Sequence, residues 1–168
     1  MILAIAPFCV AACAGTRASL NESVLRGSNY ALNLGESPPG WKRIDPGGAL
    51  AAFHDSGSGV AFVNARCGRR SDDIPLVALT NHLLMGTTER EFVSQETVAF
   101  NHREALHTIV NAKLDGVARS YDIFVLKKDG CVFDFVYATE PNEFAAGSQQ
   151  FGRFVTSANA DTGAGSGR

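Results

Sequence analysis

The stretch EALHTIVNAKLDGVARSYDIFVLKKDGCVFDFVYATE, residues 104–140, decides the fold. Two Asp-Gly dipeptides, Asp115-Gly116 and Asp129-Gly130, divide it into three arms rich in β-branched and aromatic residues. A type I′ hairpin turn needs positive φ at both central residues, which Gly takes freely and Asp tolerates; three antiparallel strands are therefore expected. In the first arm Leu106, Thr108, Val110, Ala112 and Leu114 point one way and His107, Asn111 and Lys113 the other, with Ile109 the exception. In the third arm Cys131, Phe133, Phe135 and Tyr137 form one face and Asp134 falls on the opposite one. This pattern predicts an antiparallel meander with one buried face.

Working outward, residues 91–101 read as a further strand ending at Asn101-His102, and residues 48–67 as a hairpin around the loop at 55–59. Residues 29–35 form a short opening strand and residues 36–45 a turn-rich link, in which Trp41 is expected to plug the core edge rather than hold a ligand. Residues 71–86 predict a helix with an acidic start, Pro75 in its first turn and Gly86 as its stop. Leu76, Leu79 and Leu83, with Val77 and Leu84 beside them, make its apolar stripe. A second helix over residues 141–158 places Phe144, Phe151, Phe154 and Val155 on one side, and the Gly/Ala/Ser tail at 159–168 is expected to be disordered. Strands, a helix, a long antiparallel run and a terminal helix spell α+β: a twisted, mainly antiparallel sheet with helices packed on it.

At 168 residues the chain suits one domain with a proper core. Apolar residues make up 45% and charged residues 19%, which argues against wholesale disorder. The net charge is −2 and the densest basic spot, CGRRSDD at 67–73, is cancelled at once by two aspartates. No basic stripe of the kind nucleic acid requires is present, so no nucleic-acid partner is expected.

The start of the chain, MILAIAPFCVAAC, carries no charge. Its apolar run is far shorter than the roughly 20 residues that span a bilayer, and matches the hydrophobic region of a signal peptide, about 7 to 15 residues. VAAC at 10–13 resembles the bacterial lipobox, in which an aliphatic and two small residues precede a cysteine that is lipidated after cleavage. Valine stands where leucine is commoner, and no Lys or Arg precedes the run, as if the true start lay upstream of Met1. The resemblance implies a signal peptide at 1–12, lipidation of Cys13, and a membrane contact through that N-terminal lipid. Residues 13–28 would then be a tether with no need of order. Ala14 rather than Asp after the cysteine implies, by the sorting rules of such lipoproteins, the outer membrane over the inner one. A buried N-terminal strand or helix in a cytosolic protein is the competing reading.

Residues 29–158 as a whole resemble the PsbP-like superfamily, which includes the photosystem II extrinsic protein and the Ran-binding Mog proteins. The resemblance is carried by PPGWKRI at 38–44, the helix at 73–85, REALHTIVNAKLDG at 103–116, and KKDGCVFDFVYATEP at 127–141 before a Phe-rich terminal helix. It implies an α/β/α sandwich in a single domain and a mostly non-enzymatic role as an assembly factor, extrinsic subunit or accessory lipoprotein. It carries no site residue over.

With Cys9 in the signal and Cys13 lipidated, Cys67 and Cys131 remain as an even pair for an oxidising compartment. A bridge between them would stabilise by roughly 4 kcal/mol in the chain-entropy model; two free core thiols or a metal pair are the alternatives. No Cys-x-x-Cys, His-x-x-x-His, nucleophile elbow or phosphate loop occurs, and His54, His82, His102 and His107 are expected at the surface or half-buried. Glu89 and Glu91, flanking Arg90, are expected in a solvated turn, and Glu96, Arg103 and Asp134 on a charged sheet face. No catalytic residue, metal site or cofactor is assigned. The sequence thus points to a lipid-anchored envelope accessory protein that binds or steadies a membrane-associated protein partner. The alternative is a small-ligand carrier or enzyme with a pocket between sheet and helices.

Overall fold

Both Asp-Gly dipeptides turn as their chemistry requires, with φ of 51° and 81° at Asp115-Gly116 and 49° and 76° at Asp129-Gly130. A third two-residue turn at Asn101-His102 reaches the same region, at 53° and 61°, without a glycine. The protein is seen in a computed structural model that describes residues 19–21, 23–27, 29–68 and 73–162. In chain order the elements are β1 (Ser19–Asn21), β2 (Val24–Arg26), β3 (Ala31–Asn33), β4 (Lys42–Ile44), β5 (Ala51–His54) and β6 (Val60–Cys67). Then come α1 (Leu76–Leu83), β7 (Thr87–Phe100), β8 (Arg103–Leu114), β9 (Val117–Lys128), β10 (Cys131–Thr139), α2 (Phe144–Ser157) and β11 (Asn159–Asp161).

Seven strands form one antiparallel sheet in the order β4-β5-β6-β10-β9-β8-β7. Its centre is buried on both faces, which corrects the expectation of a meander with one buried face. Alternate residues of β9 and β10 serve two cores: Phe124, Leu126, Phe133, Phe135 and Tyr137 face α2, while Tyr121, Ile123, Val125 and Val132 face α1. A strand buried on both sides reads as a continuous apolar run, as IFVL does at 123–126. The α+β sandwich expected from the sequence is the fold observed.

A smaller sheet, β1-β2-β3-β11, packs on the α2 side. Leu25, Leu32 and Ala160 occupy one row across it and join the core beside Phe133 and Phe135. Two expectations are corrected here. Residues 19–21 and 24–26, placed in an unordered tether, are strands, and so are residues 159–161 of the expected disordered tail. These three-residue strands gain their order from one another, a non-local pairing that no window of sequence displays. The signal peptide at 1–12 and Cys13 lie outside the described residues.

Both helices are shorter than their patterns. Pro75 caps α1 from outside, in extended geometry with ψ of 145°, instead of entering its first turn. Gly86, at φ 88°, ends the excursion as expected. The link at 36–45 contains β4, which the turn residues around it obscured. Cys67 and Cys131 sit directly opposite in β6 and β10 and are joined by a disulfide, with sulfurs 2.00 Å apart.

At one edge of the large sheet β7 runs for 14 residues, mostly exposed, with register shifts between Thr88 and Glu91 and between Phe92 and Ser94. At the other edge β4 has only 3 residues. Among the described residues no helix is long and apolar enough to cross a membrane.

Candidate functional site

The α1 helix spans 8 residues and lies over β8 and β9, leaving the adjoining face of β6 and β10 to a loop at residues 46–49. Between that loop and the exit of α1 is a groove of about 360 Å³, within the range of small-molecule sites. Phe62, Val136 and Ala138 form its floor, Leu83, Met85 and Leu114 one wall, and Gly48 and Ala49 the other. The exit of α1 is fixed because the Leu84 carbonyl accepts from Thr87 N–H at 3.1 Å, Thr87 Oγ1 at 2.7 Å and the Arg90 guanidinium. The loop is fixed by an Asx turn, Gly47 N–H to Asp45 Oδ1 at 2.9 Å, and by Ala49 N–H to the Pro46 carbonyl.

The groove opens onto an apolar rim. Met85 is 68% exposed, Val117 52%, Phe92 47% and Leu114 43%. The pairings Phe92↔Val110 and Leu114↔Val117 place these strand residues on the α1 face. Arg119, on the same face of β9, lines the groove. Its Nη1 is buried, makes no hydrogen bond and lies 3.5 Å from Glu140 Oε1. Asp134 is on this face too: its Oδ2 accepts from Arg66 Nη2 at 3.1 Å and its Oδ1 is buried without a partner. Burial pushes the Asp134 carboxyl up to about 6, against the pull of Arg66.

The α2 face, in contrast, is closed by satisfied networks. Ser148 Oγ donates to Asp122 Oδ2 at 2.6 Å, Asp122 Oδ1 meets His107 Nε2 at 2.8 Å, and His107 Nδ1 lies 3.6 Å from Glu96. His107 also stacks on Phe124, with ring centres 4.0 Å apart. Burial works to lower the His107 pKa, but the hydrogen bond and charge of Asp122, with Glu96, outweigh it and the net shift is upward. The serine bonds the carboxylate and not the imidazole, so no activated nucleophile results. Farther along, Tyr137 Oη donates to Asp55 Oδ2 at 2.6 Å, and Glu143 accepts from Ser58 N–H and Oγ, each at 2.7 Å. The Tyr137 hydroxyl passes so close to Gly147 that a Cβ there would overlap it. Its pKa is raised, by burial first and then by Asp55.

The other sequence-marked residues do not converge. His54, His82 and His102 are exposed and His107 is half-buried. Glu89 and Glu91 belong to the bulged start of β7 and not to a solvated turn; Glu89 pairs with Lys113 at 2.7 Å. Glu96, Arg103 and Asp134 do not form one charged face: Glu96 approaches His107, Arg103 bonds Asp129 at 2.8 Å, and Asp134 is buried on the α1 side. Trp41 plugs the core as expected, stacked on Tyr137 and donating Nε1–H to Gln150 at 2.9 Å. Among the described residues no group of three His, Cys, Asp or Glu could hold a metal ion. Sequence reasoning missed the groove and Arg119; the Pro46-Gly47-Gly48 turn was visible, but the floor comes from two strands far apart in sequence.

No protein-family model and no curated protein matches the chain. Solved structures do. The cyanobacterial PsbP protein CyanoP of Synechocystis is 13% identical, with a TM-score of 0.57 over 88% of this chain and 99% of that one. LpqN of Mycobacterium tuberculosis, described as involved in cell envelope biogenesis, is 13% identical, with a TM-score of 0.54 over 78% and 83%. At that identity the likeness shows a PsbP-like fold.

Proposed function

We propose that this chain is a cell-envelope accessory protein, not an enzyme, that is anchored by lipid on Cys13 and acts by contact with a membrane-associated partner protein. The observation that carries the partner reading is the apolar rim of Met85, Phe92, Leu114 and Val117, exposed together on the α1 face. Apolar patches that a fold leaves open commonly mark interaction surfaces. The Cys67–Cys131 disulfide supports a compartment outside the reducing cytosol. The fold shared with an envelope-biogenesis protein and a cyanobacterial PsbP supports an accessory role. The lipobox-like VAAC supports the anchor, and Ala14 favours the outer membrane.

Labelling cells with palmitate tests the anchor: wild-type protein takes up label and Cys13→Ala does not, and absence of label from both overturns it. A pull-down from solubilised envelope tests the partner. Wild type returns a stoichiometric protein, and Val117→Asp together with Met85→Asp loses it; retention by the double variant removes the rim from the interface. A small-ligand carrier is a second reading, favoured by the groove beside α1.

A further inference from the structure

The groove between α1 and the loop at 46–49 has a chemical character that partner contact does not require. Its floor and walls are apolar: Phe62, Leu83, Met85, Leu114, Val136 and the ring of Tyr121. Arg119 supplies the cation on its lining and Asn64 an amide. Its Nη1 makes no hydrogen bond among the described residues, and its ion-pair partner at 3.5 Å, Glu140, is half exposed and held only weakly in water. A buried guanidinium N–H without an acceptor is costly, and a planar anion is what its fork geometry best accepts.

We propose that this groove binds a single-chain anionic amphiphile, the alkyl chain on Phe62, Val136 and Leu83 and the carboxylate or phosphate head on Arg119. The volume of about 360 Å³ admits a single chain. The rim of Met85 and Leu114 continues the apolar wall to the surface, so the chain can enter without crossing a polar collar. The inference deepens the carrier reading and does not depend on Cys13 or on a partner.

Isothermal titration of the full chain with decanoate, with a ten-carbon lysophosphatidylglycerol and with decanol tests it. One anionic probe or both bind saturably at one site; the tighter one separates a free fatty acid from a phospholipid source. Arg119→Gln weakens the anionic probes about tenfold or more and leaves decanol unchanged. Gly48→Trp fills the groove, since a Cβ at Gly48 meets nothing within 4 Å, and it abolishes all binding at an unaltered melting temperature. Ala49→Trp serves the same purpose should Gly48→Trp misfold. Absence of saturable binding by wild type overturns the proposal, as does binding that survives the folded groove-filling variants. An equal loss for decanol and decanoate in Arg119→Gln overturns the assignment of the head group. None of these failures touches the palmitate or pull-down results.

Discussion

The two faces of the large sheet are built from alternate residues of the same strands, yet they finish differently. On the α2 side a 14-residue helix and a second sheet cover the strands, and Phe133, Phe135, Tyr137 and Phe151 are fully buried. Each buried polar side chain there has its partner, from Asp122 to the Tyr137 hydroxyl. On the α1 side an 8-residue helix covers only part of the strands. Both of the buried side-chain atoms that lack a hydrogen-bond partner among the described residues, Arg119 Nη1 and Asp134 Oδ1, are on that side. Satisfied polar groups fix a core, whereas unsatisfied ones mark where stability has been given up. On the proposals above, the contrast separates a structural face from a working one.

The largest expected effect tests the closed face. Phe151→Ala should cost about 3–5 kcal/mol in urea unfolding, while Val136→Ala on the groove floor should cost no more than about 1.5 kcal/mol, because that wall already borders open space. Equal losses would erase the distinction between the faces.

Next in size is Asp134→Asn. Its carboxyl titrates near 6 in the folded chain and near 3.9 when unfolded. The ionised form is therefore disfavoured by folding, and stability is lost as pH rises from about 3.9 to about 6. The asparagine variant should be more stable than wild type by about 1–3 kcal/mol at pH 8 and no more stable at pH 3.5. Destabilisation at pH 8 would mean that the Arg66 pairing outweighs burial.

The smallest effect belongs to His107, which faces Glu96 from β7 and Asp122 from β9, the latter also held by Ser148 of α2. Because its folded pKa is raised, the charged imidazole stabilises fully below the unfolded value of about 6.5, and that contribution fades as pH rises through the folded value. His107→Gln should flatten the stability profile above about pH 6.5 by less than about 1 kcal/mol and leave the acid limb, set by Asp134, in place. Ring-proton NMR titration gives the same answer directly; a midpoint below the ordinary histidine range would break the proposed network.

Much of this architecture is legible in local chemistry. The Asp-Gly turns announce the hairpins, and the Phe spacing of 144–155 announces α2, because each signal lies within one window. The short strands at 19–26 and 159–161 are silent, since Leu25, Leu32 and Ala160 align only after the chain folds back on itself. Asp134 reads as the solvent side of a two-faced strand, yet in the fold that side is buried too. The groove escapes for a related reason: Phe62 and Val136 are neighbours only through the β6–β10 pairing. Arg119 looks like any surface arginine until the fold sets it on the groove lining with Tyr121 and Ala138.

A chain concentrated on a membrane, as proposed here, meets copies of itself constantly, and an open sheet edge is a template for strand-by-strand polymerisation. The bulged course of β7 blunts that template. Its two register shifts, the positive φ at Glu89 and the charges of Glu89, Arg90, Glu91 and Glu96 interrupt the straight run of unpaired amides that an incoming strand needs. The opposite edge, β4, offers only 3 residues. Crowding therefore drives neither edge of the large sheet toward fibre growth, and the contact proposed through the α1 face needs neither edge.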